Sequence, residues 1–435
     1  MQPRLLVWAL LVLGARAATA DPRDAAVRAL AFPNGPTVLL APDSLAGGVD
    51  IGVSFAAGSR TDPAGRAGLA YVLARAALSP PGAPRRALEA TGAAFDLSIS
   101  PDVTTTSVTL PAEQLGAALD AVVANLAAPA LTPESLAQAL AATRAERARR
   151  IADVPLLPAL ERVSANLFPG HGYAGSVSGD DATLAAITYD AAAADLASRF
   201  APSRALVTVA GRFDVDDATA ALRARFGAPS PAPAPAAPAP PALGTAVPRS
   251  VGVDADLAVS VALAGWRLVP DRDDDAPALQ VLARVLAGAP GARLERALVV
   301  EDGAVLQVLG TYERRADAGV FVVAAALRAV TDTAKFEAQL TREVERWGHE
   351  ALSADEVDAA RHAVEAAMLQ DAQGPAGRAT ALAVAQLSDG DWTAWERRLA
   401  RLRAVTPDDV RRAAAAALVP ANRTIVWTAP TGGRR

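Results

Sequence analysis

Two stretches early in the chain alternate with period two. "VDIGVSF" (49–55) and "VTTTSVTL" (103–110) place apolar or β-branched side chains on every second position, which predicts half-buried strands. The period then lengthens. "LGAALDAVVANLAA" (115–128) and "SLAQALAATRAERARRIA" (135–152) repeat apolar positions three and four residues apart, which predicts helices. After residue 244 the order returns. "LAVSVALAGW" (257–266) predicts a strand, 276–287 a helix, 304–311 and 319–326 strands, and the chain after 335 long helices. Each half therefore predicts a mixed sheet covered by helices, an α+β class.

Both periods fail over "APSPAPAPAAPAPPALG" (228–244). Alternating Pro and Ala supports neither a helix interior nor a sheet ladder and favours an extended spacer. It separates 21–227 from 245–435, each of ordinary domain size. Three stretches repeat in the same order on its two sides. "YVLARAAL" (71–78) matches "QVLARVLA" (280–287), and "LTPESLAQAL" (131–140) matches "LSADEVDAAR" (352–361). "FAPSRALVTVAG" (200–211) matches "LVPANRTIVWTAP" (418–430). Three matches in register indicate a duplicated domain, and their period is far too long for a solenoid.

Residues 1–20 have the form of a signal peptide, with Arg4, an apolar run over 5–14 and a small-x-small end at Ala18-Thr19-Ala20. The run is too short to span a bilayer, and no later segment is apolar enough to do so. Export to the periplasm or beyond is expected. Removing residues 1–20 removes Arg4 and Arg16, leaving 40 basic against 47 acidic side chains and a net charge of −7, which argues against a nucleic-acid partner. With no cysteine, an exported fold must stand on packing alone and can have no thiolate metal site. Lys335 is the only lysine.

"VSFAAGSRTDPAGRAGLAYVLARAAL" (53–78) resembles the opening of the inverted-motif zinc peptidases, the pitrilysin/insulinase family, which includes the mitochondrial processing peptidase and the bc1 core proteins. "LEATGAAFDLSISPDVTTTSVTLP" (88–111), "PALTPESLAQAL" (129–140), "NLFPGHGYAGSVSG" (166–179) and "VTPDDVRRAAAAALVPANRTIVW" (405–427) are similar to family stretches in family order. The resemblance implies a tandem repeat of two homologous αβ domains facing each other across a cavity. It also implies H-x-x-E-H on the helix that starts at Gly68, with two zinc ligands and a general base. Those positions are Tyr71, Ala74 and Arg75 in this chain. A phenol, a methyl and a permanent cation supply neither ligands nor base. The family's third ligand falls near Glu146, which, on an arginine-rich helix, is expected to be a solvated charge with no metal. The Arg/Tyr pair that holds the scissile carbonyl in active members falls on Val299 and Leu306, so that stabilisation is expected to be missing as well.

A catalytic zinc needs three protein ligands, and the chain has three histidines, His171, His349 and His362, each expected on the surface. His362 and Glu365 form H-x-x-E, but Ala366 stands where a second His would follow. "GSVSG" (175–179) lacks the strand–turn–helix setting of a nucleophile elbow, and "DRDDDAP" (271–277) is expected to cap the next helix. The expected function is that of an exported pseudo-peptidase with no cofactor, the inactive partner of a zinc-bearing homologue. It would grip unfolded peptide by strand addition. Two other classes stay open: an active zinc metallopeptidase with displaced ligands, and a structural subunit of a larger assembly.

Overall fold

A computed structural model describes residues 27–33, 35–78, 83–127, 131–227, 235–255, 257–328 and 332–430. Residues 1–20, expected to be a signal peptide, and residues 228–234 of the Pro/Ala stretch lie outside them. Residues 235–244 run without regular secondary structure, and the Arg267 guanidinium holds their end through the Gly244 carbonyl at 2.7 Å.

The first sheet is built from β1 (Arg28–Ala31), β2 (Thr37–Pro42), β3 (Val49–Phe55), β4 (Ala94–Ile99), β5 (Thr104–Leu110) and β6 (Leu206–Gly211). The second is built from β7 (Arg249–Ala255), β8 (Val261–Arg267), β9 (Val305–Glu313), β10 (Val320–Leu327) and β11 (Arg423–Pro430). The strand predicted over 257–266 begins later, at Val261, after a bend at 258–259. Their orders are β1-β2-β6-β3-β5-β4 and β7-β11-β8-β10-β9. Without β1 the two orders are the same, and each contains one parallel pair, β2/β6 and β7/β11, among antiparallel neighbours. The duplication predicted from the three repeats is thus a duplication of topology.

Each sheet buries one face under helices of its own half. In the first, Val49, Ile51, Val53 and Phe55 of β3 pack with Leu69, Val72 and Leu73. In the second, Trp266 and Phe321 pack with Leu279, Leu282 and Leu286. The opposite faces are covered by exchange. Helix Leu157–Leu167 precedes the Pro/Ala stretch, yet its Ala159, Val163 and Leu167 lie on Leu263, Val320 and Val426 of the second sheet. Helix Gly374–Asp389 returns the contact, with Ala379, Leu382 and Ala383 on Leu39, Ala41, Leu206 and Ala210 of the first. Gly265 permits the closest approach, because a Cβ there would stand 2.4 Å from Val163 Cγ1.

A polar junction also ties the halves. Arg60 holds Asp317 in a bidentate pair at 2.5 and 2.6 Å. The Tyr173 hydroxyl donates to Asp102 and accepts from the Asp317 N–H, while Asp102 also accepts from the Ala316 N–H. The turn between β9 and β10 is thereby seated against the first half.

Two expectations follow. If a protease site inserted in 228–244 is cut, the two pieces should co-elute in native buffer, because each carries a helix buried on the other's sheet. Separation into two folded monomers would refute the exchange. The second concerns Asp50, 1% exposed on β3, whose carboxyl burial pushes up to about 6, opposed by the Thr109 hydroxyl and aided by Asp96. A folded pKa above the unfolded value means that stability falls as pH rises from about 4 to 6 and stays lower above it, by about 3 kcal/mol. Asp50→Asn should therefore raise the urea midpoint at pH 8 and leave it nearly unchanged at pH 4. An equal shift at both pH values would show that the buried charge is not the cause.

Candidate functional site

The chain leaves β3 at Phe55, turns through Gly58–Asp62 and enters a helix at Leu69. Asp62 starts that helix from a distance: its carboxylate accepts from the Gly68 N–H at 2.9 Å and the Ala70 N–H at 3.1 Å. These are two of the donors that a helix start leaves unpaired. Arg199, buried like Asp62, stands 3.7 Å from the carboxylate and donates to the Thr61 carbonyl. Burial pushes the Asp62 carboxyl up to about 6 against the pull of Arg199 and the two N–H groups, so it is mainly ionised at neutral pH. Gly68 has φ +88°, and a Cβ there would meet the Gly179 backbone nitrogen at 2.7 Å, so the entry admits only glycine. Leu69–Leu73 is α-helical and buried, and Ala74–Leu78 widens into a π-helical turn, a feature that recurs at functional sites.

Tyr71 and Arg75 leave this helix one turn apart and meet Glu146, on helix Pro133–Asp153. The Tyr71 hydroxyl donates to Oε1 at 2.7 Å and Arg75 Nη1 to Oε2 at 2.6 Å. The guanidinium lies 5.7 Å from the centre of the Tyr71 ring. Glu146 is thus not the solvated charge that its arginine-rich helix suggests: both its oxygens are taken by the residues at the degenerate motif positions. Ala74, between them in sequence, is wholly buried in the first core. Neighbouring Arg147 forms a bidentate pair with Glu161 at 2.6 Å, which fixes the carboxylate-bearing helix against Leu157–Leu167.

This donor set does not fit a zinc ion. Burial raises the Tyr71 phenol above its ordinary value and the carboxylate beside it adds to the rise, so the hydroxyl stays a neutral donor. Arg75 is a fixed cation and already pairs with the one carboxylate present. Among the described residues no group of three or more His, Cys, Asp or Glu could hold a metal ion.

The other sequence candidates are dispersed. Val299 lies in a second π-helical turn, Arg296–Glu301, and packs against the second core, while Leu306 is 48% exposed on β9. His349 and His362 are exposed as expected, and Glu365 pairs with Arg403. His171 is not on the surface. It is 4% exposed, its Nδ1 accepts from the Tyr173 N–H, and its Nε2 lies 3.2 Å from Asp317. Burial lowers its pKa, so a neutral ring donating to Asp317 forms part of the junction. The run at 271–277 also does less capping than expected. Asp275 begins helix Ala276–Ala287 without a side-chain cap bond, and Asp271 pairs with buried Arg398 instead.

If Glu146 is shared as described, Glu146→Gln and Arg75→Met should each lower stability by about 1–2 kcal/mol in urea unfolding. The double variant should cost less than the sum, because each single change strands the other partner. Simple additivity would show that the pair is not coupled.

Residues 37–181 match the family described as Insulinase (Peptidase family M16), and residues 186–364 match the one described as Peptidase M16 inactive domain. The join between the matches precedes the Pro/Ala stretch. A protease from Helicobacter pylori has a similar structure, with TM-score 0.83 at 16% identity over 93% of this chain and 99% of that one. The peptidase M16 inactive domain from Pseudomonas fluorescens aligns with TM-score 0.77 at 20% identity over 93% and 98%. A chain of complex III2 from Candida albicans with Inz-5 bound aligns with TM-score 0.75 at 16% identity over 92% and 95%. At such identities the likeness is one of fold. No curated protein matches the sequence. With both family matches in order along the chain and two sheets of repeated topology, the chain belongs to the insulinase family of peptidases, M16.

Proposed function

We propose that this chain is a non-catalytic member of its family, exported, and that it works as the peptide-binding partner of a zinc-bearing homologue. The observation that carries the reading is the Tyr71–Glu146–Arg75 cluster. Where the family resemblance puts two imidazoles and a carboxylate around a metal, a phenol and a guanidinium hold that carboxylate between them. A guanidinium keeps a positive charge beside Glu146 but offers no empty orbital to a carbonyl and no bound water to activate. Val299 and Leu306 likewise offer no hydrogen-bond donor from their side chains at the positions of the Arg/Tyr pair. What this chain can contribute is surface: two sheets, their edges and the walls between them. A partner would be held through an interface of at least about 1,000 Å².

Supporting the placement outside the cytoplasm is the form of residues 1–20. Among the described residues no helix is long and apolar enough to cross a membrane.

Purified without chelator, the chain should contain no stoichiometric zinc and cleave no peptide. Pull-down from its native compartment should recover a homologue with intact H-x-x-E-H, and adding this chain should raise that enzyme's cleavage rate or narrow its peptide choice. About one tight zinc per chain would sink the non-catalytic reading. Recovery of no family peptidase, with the homologue's cleavage unchanged, would sink the partnership.

A further inference from the structure

Each sheet ends on a hairpin, β4–β5 in the first half and β9–β10 in the second, and the tips of these two hairpins meet. Asp102, in the turn between β4 and β5, accepts from the Ala316 N–H at 3.0 Å, in the turn between β9 and β10. Two further side chains bridge the same turns. Arg60 pairs with Asp317 and stands 4.0 Å from Asp102. The Tyr173 hydroxyl donates to Asp102 at 2.5 Å and accepts from the Asp317 N–H at 3.3 Å. His171 lies under this bridge, buried, with its ring 4.5 Å from that of Tyr173.

Both ring nitrogens of His171 are committed, and to opposite roles. Nδ1 accepts from the Tyr173 N–H at 3.1 Å, so it carries no proton, and Nε2 therefore donates to Asp317 Oδ2 at 3.2 Å. A second proton has only Nδ1 to go to, where it faces the Tyr173 N–H, donor against donor. Tyr173 must then move, and its hydroxyl is what spans the two tips. The imidazolium would also share Asp317 with the Arg60 guanidinium. Of the charged groups around the ring, Asp317 and Asp102 favour the proton, while burial and Arg60 oppose it and prevail. Arg315 lies over the Phe168 and Tyr173 rings and pairs with Glu313. Helix Leu157–Leu167, packed on this loop, turns Glu161 to Arg147 and leaves Arg162 exposed.

We propose that His171 is an acid-sensitive latch between the two hairpin tips. On taking a proton from solvent at Nδ1 it gives up the Tyr173 N–H, and the tips part while the exchanged helices keep the halves together. The inference stands on the junction itself and not on the non-catalytic reading. A freed imidazole titrates near 6.5, so opening grows as pH falls below that value. Asp102 acts in the opposite direction and at lower pH. Burial raises its carboxyl above the ordinary value, so its protonation favours the closed junction.

The test is amide hydrogen exchange of the full chain at pH 7.5 and 5.5, read by mass spectrometry and corrected for the intrinsic pH dependence of exchange. Peptides covering 171–174 and 314–319 should open about fivefold more at pH 5.5, the equivalent of one buried hydrogen bond lost. The central strands β3 and β8 should not change. His171→Asn keeps an acceptor for the Tyr173 N–H, because an Asn side chain bonds the backbone two residues on, but it takes no proton. That variant should exchange equally at both pH values, with circular dichroism to check its fold. If it does not fold, the wild-type comparison decides alone, because the carboxyl and the imidazole predict opposite signs. Equal or slower wild-type exchange at pH 5.5, acceleration that extends to β3 and β8, or a pH response that survives in folded His171→Asn would each overturn the latch.

Discussion

The exchange of helices between the halves is the constraint on which the rest of the structure depends. A sheet has two faces, and each half of this chain packs its own helices on only one of them. The second face of each is apolar in part, with Leu39 and Leu206 on the first sheet and Leu263 and Val426 on the second. Left bare, each fully buried side chain of this kind would forfeit about 1.5–3 kcal/mol. Leu157–Leu167 and Gly374–Asp389 remove that cost reciprocally. Beside that exchange, the turn that brings Ala316 and Asp317 to Arg60, Asp102 and Tyr173 adds a polar tie between the halves.

Within that frame the helix 69–78 is held more firmly than a surface helix needs. Asp62, Arg199 and the bare Gly68 fix its start, and the first core takes Leu69, Val72 and Leu73. Such a mount is what a catalytic pair one turn apart would require, because ligand geometry tolerates little play. Here the same mount positions Tyr71 and Arg75. In the reading proposed above, the electrostatic half of a metal's role survives in Arg75 and the chemical half is gone.

The strands β3, β5, β8, β9 and β10 and the duplication were legible in the sequence, because alternation and the three paired stretches report local periodicity and its repetition, whereas β1, β2, β4, β7 and the order of strands in each sheet were not. The exchange of helices was not. Leu157–Leu167 looks like any amphipathic helix, and nothing in its own pattern says which of two sheets it will cover. The fate of Glu146 was hidden for a related reason. Its helix neighbours Arg147, Arg149 and Arg150 suggested solvated pairing, whereas its partners came from residues 71 and 75. His171 departs from its expected surface position because its loop is pinned beneath the β9–β10 turn. Contacts between residues over a hundred apart, such as His171 with Asp317, leave no trace in spacing.

The reciprocal packing also sets an order on synthesis. A ribosome finishes the strands of the first sheet when β6 emerges at Gly211, but the helix that covers Leu39, Ala41 and Leu206 is complete only at Asp389, roughly 10–35 s later at ~5–20 residues per second. Through that interval the completed first half carries an uncovered apolar face of its own, and the nascent chain needs either a chaperone or a delay in folding until residue 389 is made.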